Sequence, residues 1–219
     1  MPKRKYPLVS GEIYHIFSKS IAGFDIFRNV SEYERMRDIF RYYKIDNMPL
    51  RFSFFLRMKD REKFYKECSS KGKNLVEIIA YCLMSTHIHL ILKQLRLKGI
   101  SVFMSNVCNS YTRYFNIKTK RKGPLWESRF KNVLVKTDNQ LLHFTRYVHL
   151  NPVTAHLVEK PEDWEFSSYK EFLNKIRKEE EVCNYSDLLR ITPNNYKRFV
   201  DSRIKYQREL AEIKRLLEE

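Results

Sequence analysis

The chain of 219 residues shows two hydrophobic patterns that follow one another along most of its length. Four short segments alternate apolar and polar positions or are apolar throughout, which predicts β-strands. Three longer segments repeat apolar residues every three or four positions, which predicts amphipathic helices. The predicted strands are 11–20, 75–84, 87–94 and 129–137, and the predicted helices are 31–46, 100–116 and 138–150.

Residues typical of helix starts stand before each predicted helix. Ser31, Ser101 and Asp138 precede the three apolar patterns, and we expect their side chains to be N-caps. Glu34 stands three residues after Ser31, which favours a capping box at the first helix. The last segment, beyond residue 171, is charged and carries an apolar stripe of Leu210, Ile213 and Leu217, which predicts a further helix.

The order of the elements is β, α, β, β, α, β, α, with residues 47–75 as an insertion after the first helix. Ser85 and Thr86 separate the second and third strands, which predicts a tight hairpin. This order predicts an α+β fold of the ferredoxin-like type, a split βαβ antiparallel sheet with helices on one face and an open second face. We expect residues 1–170 to form this domain and residues 171–219 to form a helical C-terminal extension.

The charge of the chain favours a polyanionic partner. The 42 Lys and Arg residues exceed the 26 Asp and Glu residues by 16, and nucleic acid is the partner class that this excess fits best. No apolar run approaches the roughly 20 residues that a membrane-spanning helix needs, so a membrane is not expected as a partner.

The cysteines and the N-terminus favour a reduced, cytoplasmic protein. The four cysteines form no CxxC pair, which argues against a zinc knuckle or a disulfide framework. The first residues, MPKRKYPLV, lack the apolar segment of a secretory signal. The cysteines are Cys68, Cys82, Cys108 and Cys183.

Two histidines, His87 and His89, interrupt the apolar run YCLMSTHIHLILK. A strand displays residues i and i+2 on one face, so both imidazoles point the same way while Ile88 points into the opposite layer. This arrangement could hold a divalent metal ion. It could equally be two half-exposed histidines with nothing bound.

A metal at this position needs further ligands, because two imidazoles alone bind a divalent ion weakly. Tyr147 and Asn151 are four residues apart in a predicted helix, so they bring a phenol and an amide oxygen to one side of it. A phenol beside a metal suits attack of a tyrosine on a phosphodiester. Asn151 could instead cap a helix that begins at Pro152, and Tyr147 could be half-buried packing. His143 and His149 are off this face and are expected at the surface or behind the ligands.

Several segments together resemble the single-tyrosine HUH transposases, in particular the branch of REP-associated tyrosine transposases. The resemblance extends from about Gly11 to Tyr169. The segments that carry it are AYCLM, HIHLILK, SYTRYFN, GPLWESRFK, LLHFTRYVHLNPVTAHLV and PEDWEFSSY. One departure stands in the hairpin, where Ser85 and Thr86 replace the Pro and Asn that are common in the family.

The resemblance implies specific roles for residues of this chain. His87 and His89 would be metal ligands, Asn151 would complete the site, and Tyr147 would be the nucleophile. The ion would be Mg²⁺ or Mn²⁺. Attack on the scissile phosphate would give a 5′-phosphotyrosine and a free 3′-OH, on single-stranded or hairpin DNA. Tyr111 and Tyr114 in SYTRYFN are rival nucleophiles that the resemblance disfavours.

The segment KTKRKGPLWESRFK places basic residues around a tryptophan, a pattern suited to phosphate contact with base stacking. Alternatively, Trp126 packs in the core, and the basic residues are merely solvated. Arg129 is the strongest single candidate for a DNA phosphate contact. The predicted DNA-binding residues are Lys120, Arg121, Lys122, Trp126, Arg129 and Lys131.

Two other functions fit the sequence less well. A noncatalytic nucleic-acid binder on a ferredoxin-like sheet would display aromatic residues on the central strands, not paired histidines. A metal-dependent phosphodiesterase that uses water would need no tyrosine. The sequence leaves open whether the protein is a monomer or a homodimer.

Overall fold

The computed structural model describes residues 7–218, and side chains up to residue 213. The four predicted strands and three predicted helices are confirmed, with shorter or longer ends, and the segment 47–75 contains two further short helices. The strands are β1 (Ile13–Lys19), β2 (Val76–Met84), β3 (His87–Gln94) and β4 (Lys131–Val135). The helices are α1 (Val30–Tyr43), α2 (Phe52–Phe55), α3 (Arg61–Lys71), α4 (Gly99–Thr119), α5 (Asp138–Thr154), α6 (Tyr169–Phe172), α7 (Pro193–Asp201) and α8 (Ile204–Glu218).

The strands form one antiparallel sheet in the order β2-β3-β1-β4. This is the order of a ferredoxin-like split βαβ sheet, because α1 and α4 each cross over a neighbouring strand. Ser85 and Thr86 form the two-residue turn between β2 and β3, as predicted. The predicted fold class is therefore confirmed.

All three predicted N-caps are wrong, and the N-cap positions lie one to three residues earlier. At α1, the Asn29 side chain accepts a hydrogen bond from the Glu32 backbone, and the Glu32 carboxylate accepts one from the Arg28 backbone. This arrangement is similar to a capping box, with the carboxylate bonded to the residue before the N-cap, and it lies two residues before the predicted pair, Ser31 and Glu34. Asn at this position competes as well as Ser, so the pattern alone did not distinguish the two registers.

The other two helices begin in ways that depend on neighbouring residues. At α5, Thr137 accepts from the Gln140 backbone and Gln140 accepts from the Lys136 backbone, so Asp138 lies in the first turn. The helix α4 begins at Gly99 after Lys98. There the Gln94 side chain, at the end of β3, accepts a hydrogen bond from the backbone N–H of Ile100.

One face of the sheet carries a large apolar core beneath α1 and α4. Tyr14 and Ile16 of β1 and Ile88 and Leu90 of β3 are buried there against residues such as Phe103 of α4. Ile88 therefore points away from His87 and His89, as the period of two predicted.

The prediction that the second face is open is wrong. The helix α5 lies across this face, and residues from α6 and α7 pack with it into a second core. The buried residues of this core include Cys82, Ile91, Val148 and Tyr196. The predicted boundary between residues 170 and 171 stays a prediction, and residues from both sides of it share the second core.

A buried histidine holds α5 against the C-terminal elements. His149 is fully buried, with Nδ1 2.7 Å from the Tyr196 hydroxyl on α7 and Nε2 2.8 Å from the Ser168 hydroxyl. Burial lowers the pKa of His149 to about 3, so its imidazole is neutral near pH 7. The expectation that His149 lies at the surface or behind the metal ligands is wrong: it is part of the core.

His149→Gln should reduce the loss of stability that acid causes. The unfolded chain binds a proton at His149 near pH 6.5 and the folded chain only near pH 3, so the stability that this group contributes falls as the pH drops below about 6.5. The free energy of urea unfolding, measured between pH 7 and pH 4, should decline less steeply for His149→Gln than for the wild type. Parallel declines would show that His149 is not protonated on unfolding.

Candidate active site

Three imidazoles lie close together on the face of the sheet that α5 crosses. His87 and His89 project from β3, as their spacing predicted. The pairing of β1 with β3 places Phe17 opposite His89 and Lys19 opposite His87, so that His15 lies on the same face. His15 and His89 are only 5% and 6% exposed, and His87 is half-buried.

Each of the two predicted metal ligands has a hydrogen-bond partner at Nδ1. His89 Nδ1 lies 3.0 Å from His15 Nε2, and His87 Nδ1 lies 2.9 Å from the Thr86 hydroxyl. Within the described residues, no hydrogen bond engages Nε2 of either His87 or His89. In the tautomer that carries its proton on Nδ1, each residue can therefore donate the Nε2 lone pair to a metal ion.

The site keeps these imidazoles neutral. Burial lowers the pKa of His15 to about 4, and burial together with the positive charge of Lys19 lowers the pKa of His87 to about 4. The pKa of His89 is well below its usual value, because of burial first and then of His15, His87 and Lys19. Neutral imidazole is the form that binds metal ions.

Tyr147 of α5 reaches the same place. Its ring centroid is 5.8 Å from that of His89 and 5.7 Å from that of His15, both edge to face. Tyr147 is 43% exposed, although it lies against two buried histidines. Burial of the ring raises the pKa of the phenol. The structure thus brings the predicted nucleophile and a predicted metal ligand together, although 58 positions separate them in the sequence.

Asn151 lies one turn after Tyr147 inside α5. The helix continues through Pro152 to Thr154, so the alternative in which Asn151 caps a new helix is excluded. Pro152 has no N–H, which deprives the Val148 carbonyl of its usual helical partner. The Asn151 Nδ2 donates to the carbonyls of Tyr147, at 2.9 Å, and Val148, at 3.4 Å. These bonds occupy the amide nitrogen and leave Oδ1 as the atom that could contact a metal ion.

The rival tyrosines of α4 have other partners. Tyr111 is fully buried, and its hydroxyl donates to the Ile26 carbonyl at 2.5 Å. Tyr114 stacks beneath the Arg35 guanidinium, and its hydroxyl accepts from Lys118. Both belong to the opposite side of the sheet from the histidines, so they cannot reach them.

Sequence reasoning missed several residues that border Tyr147. A cavity of about 380 Å³ beside the phenol is lined by His15 and by residues of α5. His143, expected at the surface, is exposed and lines this cavity while it bonds Arg146. The alternation of His15, Phe17 and Lys19 in β1 was visible in the sequence, but only the strand order places them beside β3. The residues of α5 at the cavity are Gln140, His143, Phe144 and Tyr147.

The predicted DNA-binding residues fall into two groups. Lys120, Arg121 and Lys122 follow α4, and the Arg121 guanidinium bonds Asn116 and lies over the ring of Phe24.

The second group, Trp126, Arg129 and Lys131, lies just before β4 and at its start, next to β1. Trp126 is half-buried, and its indole donates to the Cys108 carbonyl. Trp126 thus packs against the first core in part, and it borders a cavity of about 460 Å³ together with Arg129. Lys131 is exposed on β4 opposite Phe17, which is itself opposite His89. Lys131 therefore shares a face with the histidines, about 10 Å from His89 across two strand spacings.

Neither a ready-made metal site nor a membrane-spanning helix is present within the described residues. No group of three or more His, Cys, Asp or Glu side chains is arranged to hold a metal ion. A site made from the predicted residues would thus rest on two imidazoles and an amide. Between residues 7 and 218 there is also no helix long and apolar enough to cross a membrane. All four cysteines are free.

Known proteins resemble this chain in sequence and in fold. Residues 51–151 match the family model described as transposase IS200 like. A protein of Haemophilus influenzae described as a REP-associated tyrosine transposase is 26% identical over 138 residues, which cover 54% of this chain and 78% of the relative. The solved structure of a REP-associated tyrosine transposase bound to a REP hairpin has a TM-score of 0.58 at 16% identity, and covers 87% of this chain and 99% of that one. The likeness to the solved structure concerns the fold alone. The segment that matches the family model contains His87, His89, Tyr147 and Asn151.

Tyr111→Phe should lower the stability of the protein. The substitution removes the buried hydrogen bond to the Ile26 carbonyl, and we expect a loss of roughly 1 to 2 kcal/mol in the free energy of unfolding. Urea unfolding followed by tryptophan fluorescence measures this loss. An unchanged free energy of unfolding would show that another donor or water replaces the hydroxyl.

Proposed function

We propose that the chain is a transposase of the IS200-like family, whose model matches residues 51–151, and that it breaks and rejoins one DNA strand with Tyr147 as the nucleophile. His87, His89 and Asn151 are the proposed ligands of a divalent ion, Mg²⁺ or Mn²⁺. The proposed substrate is single-stranded DNA or a DNA hairpin, and the proposed intermediate is a 5′-phosphotyrosine. Action on chromosomal DNA would place the protein in the cytoplasm, and it could act as a homodimer.

The observation that carries this proposal is the contact of the Tyr147 ring with the imidazoles of His15 and His89. Tyr147 is 43% exposed and its ring centroid lies within 6 Å of those of His15 and His89, so a phosphate bound at the imidazoles would lie beside the phenol. A hydrolase that activates water has no need of a phenol at this position.

The donor set fits a divalent ion in part. His87 and His89 are neutral, each with Nε2 without a hydrogen bond in the described part of the chain, and these are favourable states for ligands. Asn151 offers an amide oxygen, which is a suitable ligand for Mg²⁺ or Mn²⁺. The absence of a carboxylate from this set suits a site in which DNA phosphate oxygens supply the negative charge. When bound, the ion would polarise the scissile phosphate and favour the phenolate.

The proposed reaction exchanges one phosphodiester bond for another. The Tyr147 oxygen forms a bond to phosphorus, the bond from phosphorus to the 3′ oxygen breaks, and the phenol proton balances the charge of the released 3′-OH. Burial raises the pKa of Tyr147, so the phenol is protonated near pH 7 and must lose its proton during attack. The 3′-OH of another strand can reverse the step, because aryl oxide is a good leaving group. No nucleotide cofactor is required.

The charge of the protein and its relatives support DNA as the substrate. The excess of 16 positive charges favours a polyanion. The related transposase of known structure is bound to a REP hairpin, and we propose a folded repeat end as the substrate of this chain as well. Lys131 on the histidine face, and Arg129 beside it, are the proposed phosphate contacts nearest to Tyr147.

Tyr147→Phe should abolish covalent attachment to DNA and leave binding intact. Phe lacks the attacking oxygen but keeps the ring that packs against His15 and His89. The assay incubates the protein with labelled single-stranded oligonucleotides from the flanks of its gene, with and without Mn²⁺, and separates adducts on a denaturing gel. Binding is measured on the same oligonucleotides by fluorescence anisotropy.

Tyr111→Phe is the matched control, since it removes a tyrosine hydroxyl far from the histidines and should leave the adduct. An adduct formed by Tyr147→Phe would show that another residue is the nucleophile. Cleavage by the wild type with no adduct at any time would favour a hydrolase. Binding without cleavage by the wild type, on oligonucleotides that contain the repeat, would favour a noncatalytic binder.

Lys131→Ala and Arg129→Ala should weaken DNA binding and reduce its dependence on salt. Each lost phosphate contact should lower the slope of log K against log[salt] by about 1. Lys63→Ala removes an exposed charge from α3, on the other side of the sheet, and should leave the slope unchanged. Equal slopes for Lys131→Ala, Arg129→Ala and the wild type would place the DNA elsewhere.

A further inference from the structure

His15 is a buried polar residue in a position that the fold does not require to be polar. It projects from the middle of β1 beside Phe17 and Phe144, whose ring centroids both lie 5.4 Å from that of His15. A buried polar group without a hydrogen bond is costly, and the partner of His15 is Nδ1 of His89 at 3.0 Å. The two rings are nearly parallel, with centroids 5.2 Å apart.

A contact of 3.0 Å between two ring nitrogens needs one proton between them, and there are two ways to provide it. In the first, His15 donates from Nε2, and the neutral ring of His89 then carries its own proton on Nε2. In the second, His89 donates from Nδ1, and its Nε2 is left with a lone pair. Only the second arrangement leaves His89 able to bind a metal ion through Nε2.

The neighbouring histidine has a similar partner. The Thr86 hydroxyl lies 2.9 Å from His87 Nδ1, and a hydroxyl can accept a hydrogen bond from that nitrogen. Thr86 is the last residue of the two-residue turn between β2 and β3, directly before His87. Both Nδ1 atoms thus have a partner in the protein that can accept a hydrogen bond, while no hydrogen bond within the described residues engages either Nε2.

We propose that His15 and Thr86 are positioning residues that hold the proton of His89 and His87 on Nδ1, so that both Nε2 atoms are ready to bind a divalent ion. Neither residue touches the ion. This inference rests on the proposed function, since it concerns the residues behind the proposed ligands. Partners of this kind orient a ligand and raise its basicity, and their loss commonly weakens metal affinity by 10 to 100-fold.

His15→Phe tests the inference directly, because it keeps an aromatic ring and removes the acceptor. Mn²⁺ affinity is measured by electron paramagnetic resonance on the DNA-free protein. The dissociation constant for Mn²⁺ should rise by about 10 to 100-fold. His15→Gln restores an acceptor and should recover most of the affinity. Thr86→Val should have a smaller effect, since the half-buried His87 can find water as its acceptor.

Two controls separate this role from packing. Thermal unfolding of each variant should show that the folded state is retained, and His156→Asn, which removes an exposed imidazole after α5, should leave Mn²⁺ affinity unchanged. Two-bond ¹H–¹⁵N correlation spectra of the metal-free wild type report the tautomers without any substitution. His87 and His89 should both carry the proton on Nδ1.

The outcomes separate the inference from the proposed function. Equal Mn²⁺ affinities of the wild type and a folded His15→Phe would overturn it, as would a proton on Nε2 of His89 in the spectra. Failure of His15→Gln to recover affinity would assign His15 a packing role. No Mn²⁺ binding by the wild type would overturn the metal site and this inference together, whereas the proposed nucleophile is tested independently by the adduct assay with Tyr147→Phe.

Discussion

The pairing of β1 with β3 is the constraint on which the site depends. Phe17 stands opposite His89 in this register, and β4 continues the row with Lys131. A shift of β1 by one residue would turn His15 and Lys19 into the first core and bring buried apolar residues such as Ile16 to the other face. The large core beneath α1 and α4 prevents such a shift, because Tyr14 and Ile16 are already packed there.

The second constraint is the placement of α5 across the sheet. The helix brings Tyr147 to His89 and His15, and its apolar residues join the second core with α6 and α7. His149, two residues after Tyr147, forms hydrogen bonds with Tyr196 and Ser168. The C-terminal elements therefore contribute to the position of the phenol, although none of their residues touches it among the contacts described.

The chemistry of the site follows from burial. The three histidines have lowered pKa values because they are enclosed between sheet and helix, and the phenol has a raised pKa for the same reason. Neutral imidazoles suit metal binding, whereas a protonated phenol does not attack a phosphate. In the proposed reaction the phenol has to lose its proton, and a divalent ion on His87 and His89 would favour that loss.

The sequence by itself determined the strands and helices, and which of the predicted site residues share a face within one strand or helix. A period of two places His87 and His89 on one face, and a spacing of four places Tyr147 and Asn151 on one side of a helix, because these relations depend only on the backbone geometry of a strand or a helix. Helix starts were less certain, since Asn29 and Thr137 cap as well as their neighbours do.

Only the tertiary structure decided which surfaces meet. The covered second face, the burial of His149 and the contact between His15 and His89 all depend on strand order and on where α5 lies. The contact between His15 and His89 alone joins residues 74 positions apart, and no local periodicity reports such relations. They result instead from the burial of two apolar surfaces on opposite faces of one sheet, a property of the whole chain.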